Sequence, residues 1–298
     1  MDSKQKGSLT QILVNDILRS ANIGRRKIVN AMINLFGKPV AGWLADLLAH
    51  IDRQLTQTSI METANQALYA FSDGIQLNNQ TKIPASGPLL VVSNHPGMGD
   101  IMGVLASLDR EDVKIVAQRK EFMRVLGNIN RYMLSIEDDS TLKFETIRKI
   151  IQALRDGMAV IIFPAGSLEP DPAIMSGADE ALDTWSKSIG IFLNKVPETR
   201  LLPVLVSGVV TQKAWRSRFA RIAKTQKRRH QLAMAAEFIM QRISKKEGWK
   251  QPMRIDIGLA RSADELDPGL DPQGLNLAVR NEMLLLIEEL SLSSENQI

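Results

Sequence analysis

Four short, almost wholly apolar runs constrain this chain most: Leu89-Leu90-Val91-Val92, residues 113–117, Ala159-Val160-Ile161-Ile162-Phe163 and residues 201–206. Runs of this length without polar alternation, bounded by Gly and Pro, are strands buried on both faces. Stretches long enough for helices separate them, and helices are predicted over 100–108 and 141–155, the second leading through Gly157 into the third run. Strands alternating with helices predict an α/β fold with a mostly parallel central sheet covered by helices. Residues 9–72 have a different texture. Leu9, Ile12, Leu13, Ile17 and Leu18, then Val40, Trp43, Leu44, Leu47 and Leu48, recur at helical spacing, punctuated by Gly24 and by Gly37 with Lys38-Pro39. At 298 residues the chain is near the upper end of what one core serves. The division expected is an N-terminal helical subdomain (1–74), an α/β domain (75–290) and a flexible tail (291–298). The apolar faces of the N-terminal helices either pack on that core or meet lipid.

Composition removes several chemistries. There is no cysteine, which excludes a thiolate nucleophile, a disulfide scaffold and a thiolate-held metal. With three histidines, His50, His95 and His230, no multi-histidine metal site is expected either. The first twenty residues read as an amphipathic helix, because Asn15, Asp16 and Arg19 interrupt their apolar stretch. No apolar run reaches the roughly 18 residues that a membrane span needs. The expected location is therefore cytoplasmic, with peripheral attachment to a membrane.

Two loops carry chemistry. Ser93-Asn94-His95-Pro96-Gly97-Met98-Gly99-Asp100 follows the first strand directly, where α/β folds place ligand-handling loops. The Pro and Gly residues between His95 and Asp100 let the chain turn back, so that the carboxylate can orient the imidazole and support it as a base. On spacing alone, a turn closed by His95 and a helix capped by Asp100 fits equally well. Phe163-Pro164-Ala165-Gly166-Ser167-Leu168-Glu169 follows the third strand. It offers backbone N–H groups and a hydroxyl for an oxyanion or phosphate, or forms a tight turn. Two such loops on one sheet strengthen each other as a site.

In order along residues 85–210, Asn94-His95-x4-Asp100, Lys120-Glu121-Phe122 with Gly127, Phe163-Pro164-x-Gly166-Ser167, and Leu202-Pro203-Val204 with Gly208 resemble the four blocks of the glycerolipid acyltransferases. That family includes the glycerol-3-phosphate and lysophosphatidate acyltransferases. The resemblance implies that His95 deprotonates an acceptor hydroxyl, which attacks the thioester of acyl-CoA or acyl-carrier protein, with Asp100 orienting His95. It further implies substrate contacts from Asn94, Arg119, Lys120, Arg131, Pro164, Gly166 and Ser167, and no cofactor beyond the donor itself. Departures are present. Ala165 stands where the family usually has Glu, and Leu168 where it usually has Arg. The second block, which normally ends in a phosphate-holding Arg, here ends in Ser135-Ile136-Glu137-Asp138-Asp139. Without a bidentate phosphate partner a small phosphorylated acceptor is disfavoured, and the pattern is similar to the divergent haemolysin-like branch. Glu169 either replaces the missing carboxylate or faces water. The competing reading is a non-catalytic lipid or acyl-carrier binding protein on the same scaffold, against which intact His95 and Asp100 argue.

The chain carries a formal net charge of +4, and its basic residues concentrate in residues 213–229, with eight Lys or Arg and no acidic residue. A basic helix with Trp215, Phe219 and Ile222 on one face suits an anionic membrane surface, at about 1 kcal/mol per cation near the lipid. A solvated helix packed through Trp215 and Phe219 is the alternative. No nucleic-acid module accompanies the patch, so nucleic acid is not an expected partner.

Overall fold

A computed structural model describes residues 3–20, 38–78, 83–136, 140–243 and 248–295. Strands are β1 (Ile75–Asn78), β2 (Leu89–Ser93), β3 (Val113–Gln118), β4 (Met133–Ile136), β5 (Ala159–Ile162), β6 (Arg200–Ser207), β7 (Met253–Ile257) and β8 (Arg261–Ser262). Helices of two turns or more are α1 (Ser3–Ser20), α2 (Lys38–Gln54), α3 (Ile60–Leu68), α4 (Asp100–Ser107), α5 (Ser140–Arg155), α6 (Ser188–Lys195), α7 (Gln226–Ile243) and α8 (Pro272–Glu295). The strands form one sheet in the order β1-β7-β6-β2-β5-β3-β4, with β8 pairing on β6. The expected helix punctuation at Gly24 and Gly37, and the acidic Glu137, Asp138 and Asp139, lie outside the described residues.

β6, β2, β5, β3 and β4 are all parallel, and β6, β2, β5 and β3 are the four strands that the sequence predicts. β2 is central, with Val92 opposite Ile162 of β5 and Pro203 of β6. Alternate residues of these strands enter two separate layers. Leu89, Val91, Ala159, Ile161, Leu202 and Val204 pack with Leu9, Ala41, Ala45, Ile60 and Val104 from α1–α4. Leu90, Val92, Val160, Ile162, Leu201 and Leu205 pack with Leu154, Phe192, Leu193 and Met283 from α5, α6 and α8. The buried residues of α1–α3 thus share one apolar layer with the sheet. Among the described residues no helix is long and apolar enough to cross a membrane.

Sequence reasoning missed β1, β4, β7 and β8, and with them the antiparallel part of the sheet. β7 runs antiparallel to β6 and parallel to β1. Met253, Ile255 and Ile257 enter the first apolar layer. Between them Arg254 and Asp256 pair with each other at 2.8 Å, and Arg254 also donates to the Ser293 hydroxyl of α8. Two neutralised charges on one face hide a strand from hydropathy. Pro203 sits inside a sheet strand, where a missing N–H normally breaks the ladder. Here it falls between the β8 pairing, which reaches Leu201, and the β7 pairing, which starts at Val204.

At the opening ends of the strands the fully buried Arg110 side chain pairs with Asp112 and donates to the carbonyls of Pro84, Gly87 and Gly157. That leaves the closing ends, where the two chemistry-bearing loops emerge.

Candidate active site

The loop after β2 is held before it does anything chemical. Asn94 is buried, its amide donates to the Val206 carbonyl at 2.8 Å, and its oxygen accepts the Val206 N–H at 2.8 Å. Its side chain therefore ties β2 to β6, and both of these hydrogen bonds of the residue expected to bind substrate go to the protein itself. Two residues of the loop have no room for a Cβ. At Gly99, φ is +106° and an added Cβ would lie 2.7 Å from Phe71; at Gly97 it would lie 2.7 Å from Val209. These glycines let the loop pack closely on the protein itself.

His95 and Asp100 meet. Asp100 is buried at the start of α4. Its Oδ2 lies 2.7 Å from His95 Nδ1 and accepts the Gly97 N–H at 3.1 Å, while Oδ1 accepts the Ile101 N–H at 2.7 Å. A carboxylate at a helix N-terminus is favourably placed, and here it receives three N–H groups. With Nδ1–H pointed at Asp100, Nε2 keeps its lone pair. The His95 side chain is 33% exposed, so one edge remains reachable. Burial pulls the imidazole pKa down, but the charge and hydrogen bond of Asp100 and the charge of Glu169 outweigh it and hold it above its ordinary value.

The loop after β5 packs directly against this pair. The Phe163 ring is tilted over His95 at 5.1 Å between centroids. Pro164 is buried, and its carbonyl accepts the Ser186 N–H. Gly166, at φ +62°, donates its N–H back to the Phe163 carbonyl, so that N–H closes a turn and is not available to an oxyanion. Gly166 and Ser167 are exposed. Glu169 does not face water. It is buried; its Oε2 accepts the His95 N–H at 2.9 Å, its Oε1 accepts the Trp185 indole N–H at 2.7 Å, and its own N–H donates to the His95 carbonyl at 2.9 Å. Burial pushes its carboxyl up to about 7 against those hydrogen bonds.

α7 closes the site from behind, and no sequence signal placed it there. His230 is buried and its Nε2 lies 2.8 Å from the Pro96 carbonyl. Burial pulls its pKa down, so the neutral ring donates that bond. Glu237 accepts the Thr211 N–H at 3.1 Å, and burial pushes its carboxyl up to about 7. Asp171, fully buried, accepts the N–H groups of Ala173, Gly208 and Val210. Burial raises its pKa too, opposed by those amides. Together these side chains lock the segment after β6 against the His95 loop. A Glu-Pro-Asp-Pro run and a lone histidine on a basic helix carry no signal for this.

The cationic candidates separate. Arg119 and Lys120 follow β3 at the same end of the sheet as His95. Arg131 precedes β4, whose Met133 is level with Ile115, and its carbonyl accepts a hydrogen bond from the Lys114 ammonium. Arg131 is therefore at the opposite end of the strands from His95. The basic segment is not one helix. The hydroxyls of Thr211, Ser217 and Thr225 each cap a new helical start, at residues 212, 218 and 226. Arg229 stacks on Trp215 at 3.9 Å and donates to its carbonyl, which leaves Phe219 and Ile222 as the exposed apolar side chains.

Residues 74–204 match the acyltransferase family model. A search of curated proteins finds no match. Among solved structures the chain is similar to the 1-acyl-sn-glycerophosphate acyltransferase PlsC from Thermotoga maritima. The two are 16% identical over 96% of this chain and 93% of that one, with a TM-score of 0.49. His95, Asp100, the Phe163–Glu169 loop and strands β2 to β5 all lie inside the matched region, so the chain carries an acyltransferase domain at residues 74–204 and the site belongs to it.

Proposed function

We propose that the enzyme moves a fatty acyl group from a thioester donor, acyl-CoA or acyl-carrier protein, to the hydroxyl of a lipid acceptor such as a lysophospholipid. The observation that carries this reading is the 2.7 Å bond from His95 Nδ1 to buried Asp100, with the other edge of the ring reachable. Nε2 takes the acceptor's hydroxyl proton as the oxygen attacks the thioester carbonyl. The tetrahedral intermediate then collapses, the C–S bond breaks, and the imidazolium returns the proton to the thiolate sulfur. Asp100 supports the imidazolium between those events. Ser167, exposed on the second loop, offers a hydroxyl suited to contact acceptor or carrier.

Acceptor choice follows from what surrounds the pair. Ala165 and Leu168 supply neither carboxylate nor guanidinium, and Arg131 is remote, so only Arg119 and Lys120 of the expected cations remain at this end of the sheet. That supports a lipid acceptor over glycerol 3-phosphate. Radiolabelled acyl-CoA offered with a panel of lysolipids and with glycerol 3-phosphate tests it. Label should appear in the lysolipid products, whereas rapid acylation of glycerol 3-phosphate with inert lysolipids refutes the acceptor assignment.

To reach such an acceptor the enzyme docks on an anionic membrane. Lys213, Arg216, Arg218, Arg221, Lys224 and Lys227 are exposed beside Phe219 and Ile222, on the segment leading into the helix that supports Pro96. The segment runs into α7, which bonds the His95 loop at Pro96, and its exposed cations with two apolar side chains among them suit an anionic lipid interface.

A further inference from the structure

Glu169 is joined to the His95 backbone by two hydrogen bonds running in opposite directions, although the residues are 74 apart in the chain. Its carboxylate answers two N–H donors at once, one oxygen for the His95 amide and the other for the Trp185 indole. A carboxylate is the acceptor-only group that satisfies both. Position 165, where the family pattern usually carries a glutamate, is Ala165 here. We propose that Glu169 is a positioning residue for acyl transfer, its two carboxyl oxygens fixing the His95 backbone against Trp185 so that the ring meets both Asp100 and the acceptor. This rests on His95 being the base and adds to that reading the group that sets its height in the loop.

The geometry makes Glu169→Gln informative. A glutamine has one acceptor oxygen, so its NH2 must face either the His95 N–H or the Trp185 N–H, and the loop shifts to separate them. A displacement of about 1 Å costs on the order of a hundredfold in rate. Removing the second donor relieves the conflict, because in Glu169→Gln combined with Trp185→Phe the glutamine oxygen serves His95 alone.

The test measures acyl transfer in the wild type, in Glu169→Gln and in the double variant, with folding checked by circular dichroism. In parallel, hydrogen exchange at the His95 amide is followed by NMR in protein labelled with 15N-histidine. The expected result is a roughly hundredfold lower kcat in Glu169→Gln with acceptor KM nearly unchanged, faster exchange at the His95 amide, and at least tenfold recovery of kcat in the double variant. Wild-type kcat in a folded Glu169→Gln enzyme overturns the proposal, as does a double variant no faster than the single one. If even the wild type transfers no acyl group, the functional reading falls by itself. Exchange at the His95 amide then decides the present inference, and unchanged exchange in Glu169→Gln refutes it.

Discussion

His95 accepts a proton only while its ring is neutral, and its surroundings fix where that condition begins. Asp100 and Glu169 hold its pKa above the usual value of 6.5 despite burial. If His95 is the proposed base, protonation removes it as pH falls through a midpoint above 6.5. The profile of kcat/KM should show an acid limb centred there, and Asp100→Asn should move the midpoint down while lowering the plateau. His95→Ala should reduce kcat by about 10²–10⁴-fold with the far-ultraviolet spectrum unchanged. Gly99→Ala should fail differently, in soluble yield and unfolding midpoint. Its φ of +106° disfavours any side chain, and the new Cβ meets Phe71 at 2.7 Å. The pairing of His95 with Asp100 was readable from sequence because both ends lie within one turn of chain. Glu169, Asp171 and His230 were not, because their partners are brought by the fold from distant segments. A polar residue whose partner is remote looks like any other polar residue.

Among elements, the strands that could be read were those apolar on both faces. β7 could not be, since its Arg254–Asp256 pair is neutralised only under α8. The basic segment 213–229 read as one helix because its spacing is helical, yet three hydroxyl caps restart it. A capping side chain ends one helix register as surely as it begins the next. α7 gives a stability prediction. Glu237 has a folded pKa of about 7 against an ordinary 4.5, so between these values the folded state holds a proton that the unfolded chain has released. Stability from this group is therefore full below 4.5 and is lost as pH rises through 7. Glu237→Gln keeps an oxygen for the Thr211 N–H without the buried charge. At pH 8 it should be more stable than wild type by on the order of 2 kcal/mol, a gap that narrows on acidification. Urea unfolding at pH 8 and pH 5.5 measures it, and a gap independent of pH contradicts the assignment.

At the scale of the whole molecule, the charge excess has a direction. Liposome sedimentation should show binding that increases with anionic lipid and weakens as salt shortens the screening length to about 8 Å and below. Arg218, Arg221 and Lys224 changed together to Ser should weaken it, whereas Trp215→Ala should act through folding, because Arg229 already covers that ring. Ile222→Ser should weaken binding without changing its salt dependence. Equal binding to neutral liposomes at any salt would shift the anchor to the N-terminal helices.

The long-range ties around His95 have a further consequence, for synthesis. Asn94 waits for Val206, 112 residues later, and Pro96 for His230, 134 residues later. When His95 leaves the ribosome, none of the groups that will hold its loop from β6 or α7 has been translated. Nascent chains released before His230 has emerged should contain the motif and yet be inert, and full-length chains should gain activity only at the slowest refolding step, when these distant loops close.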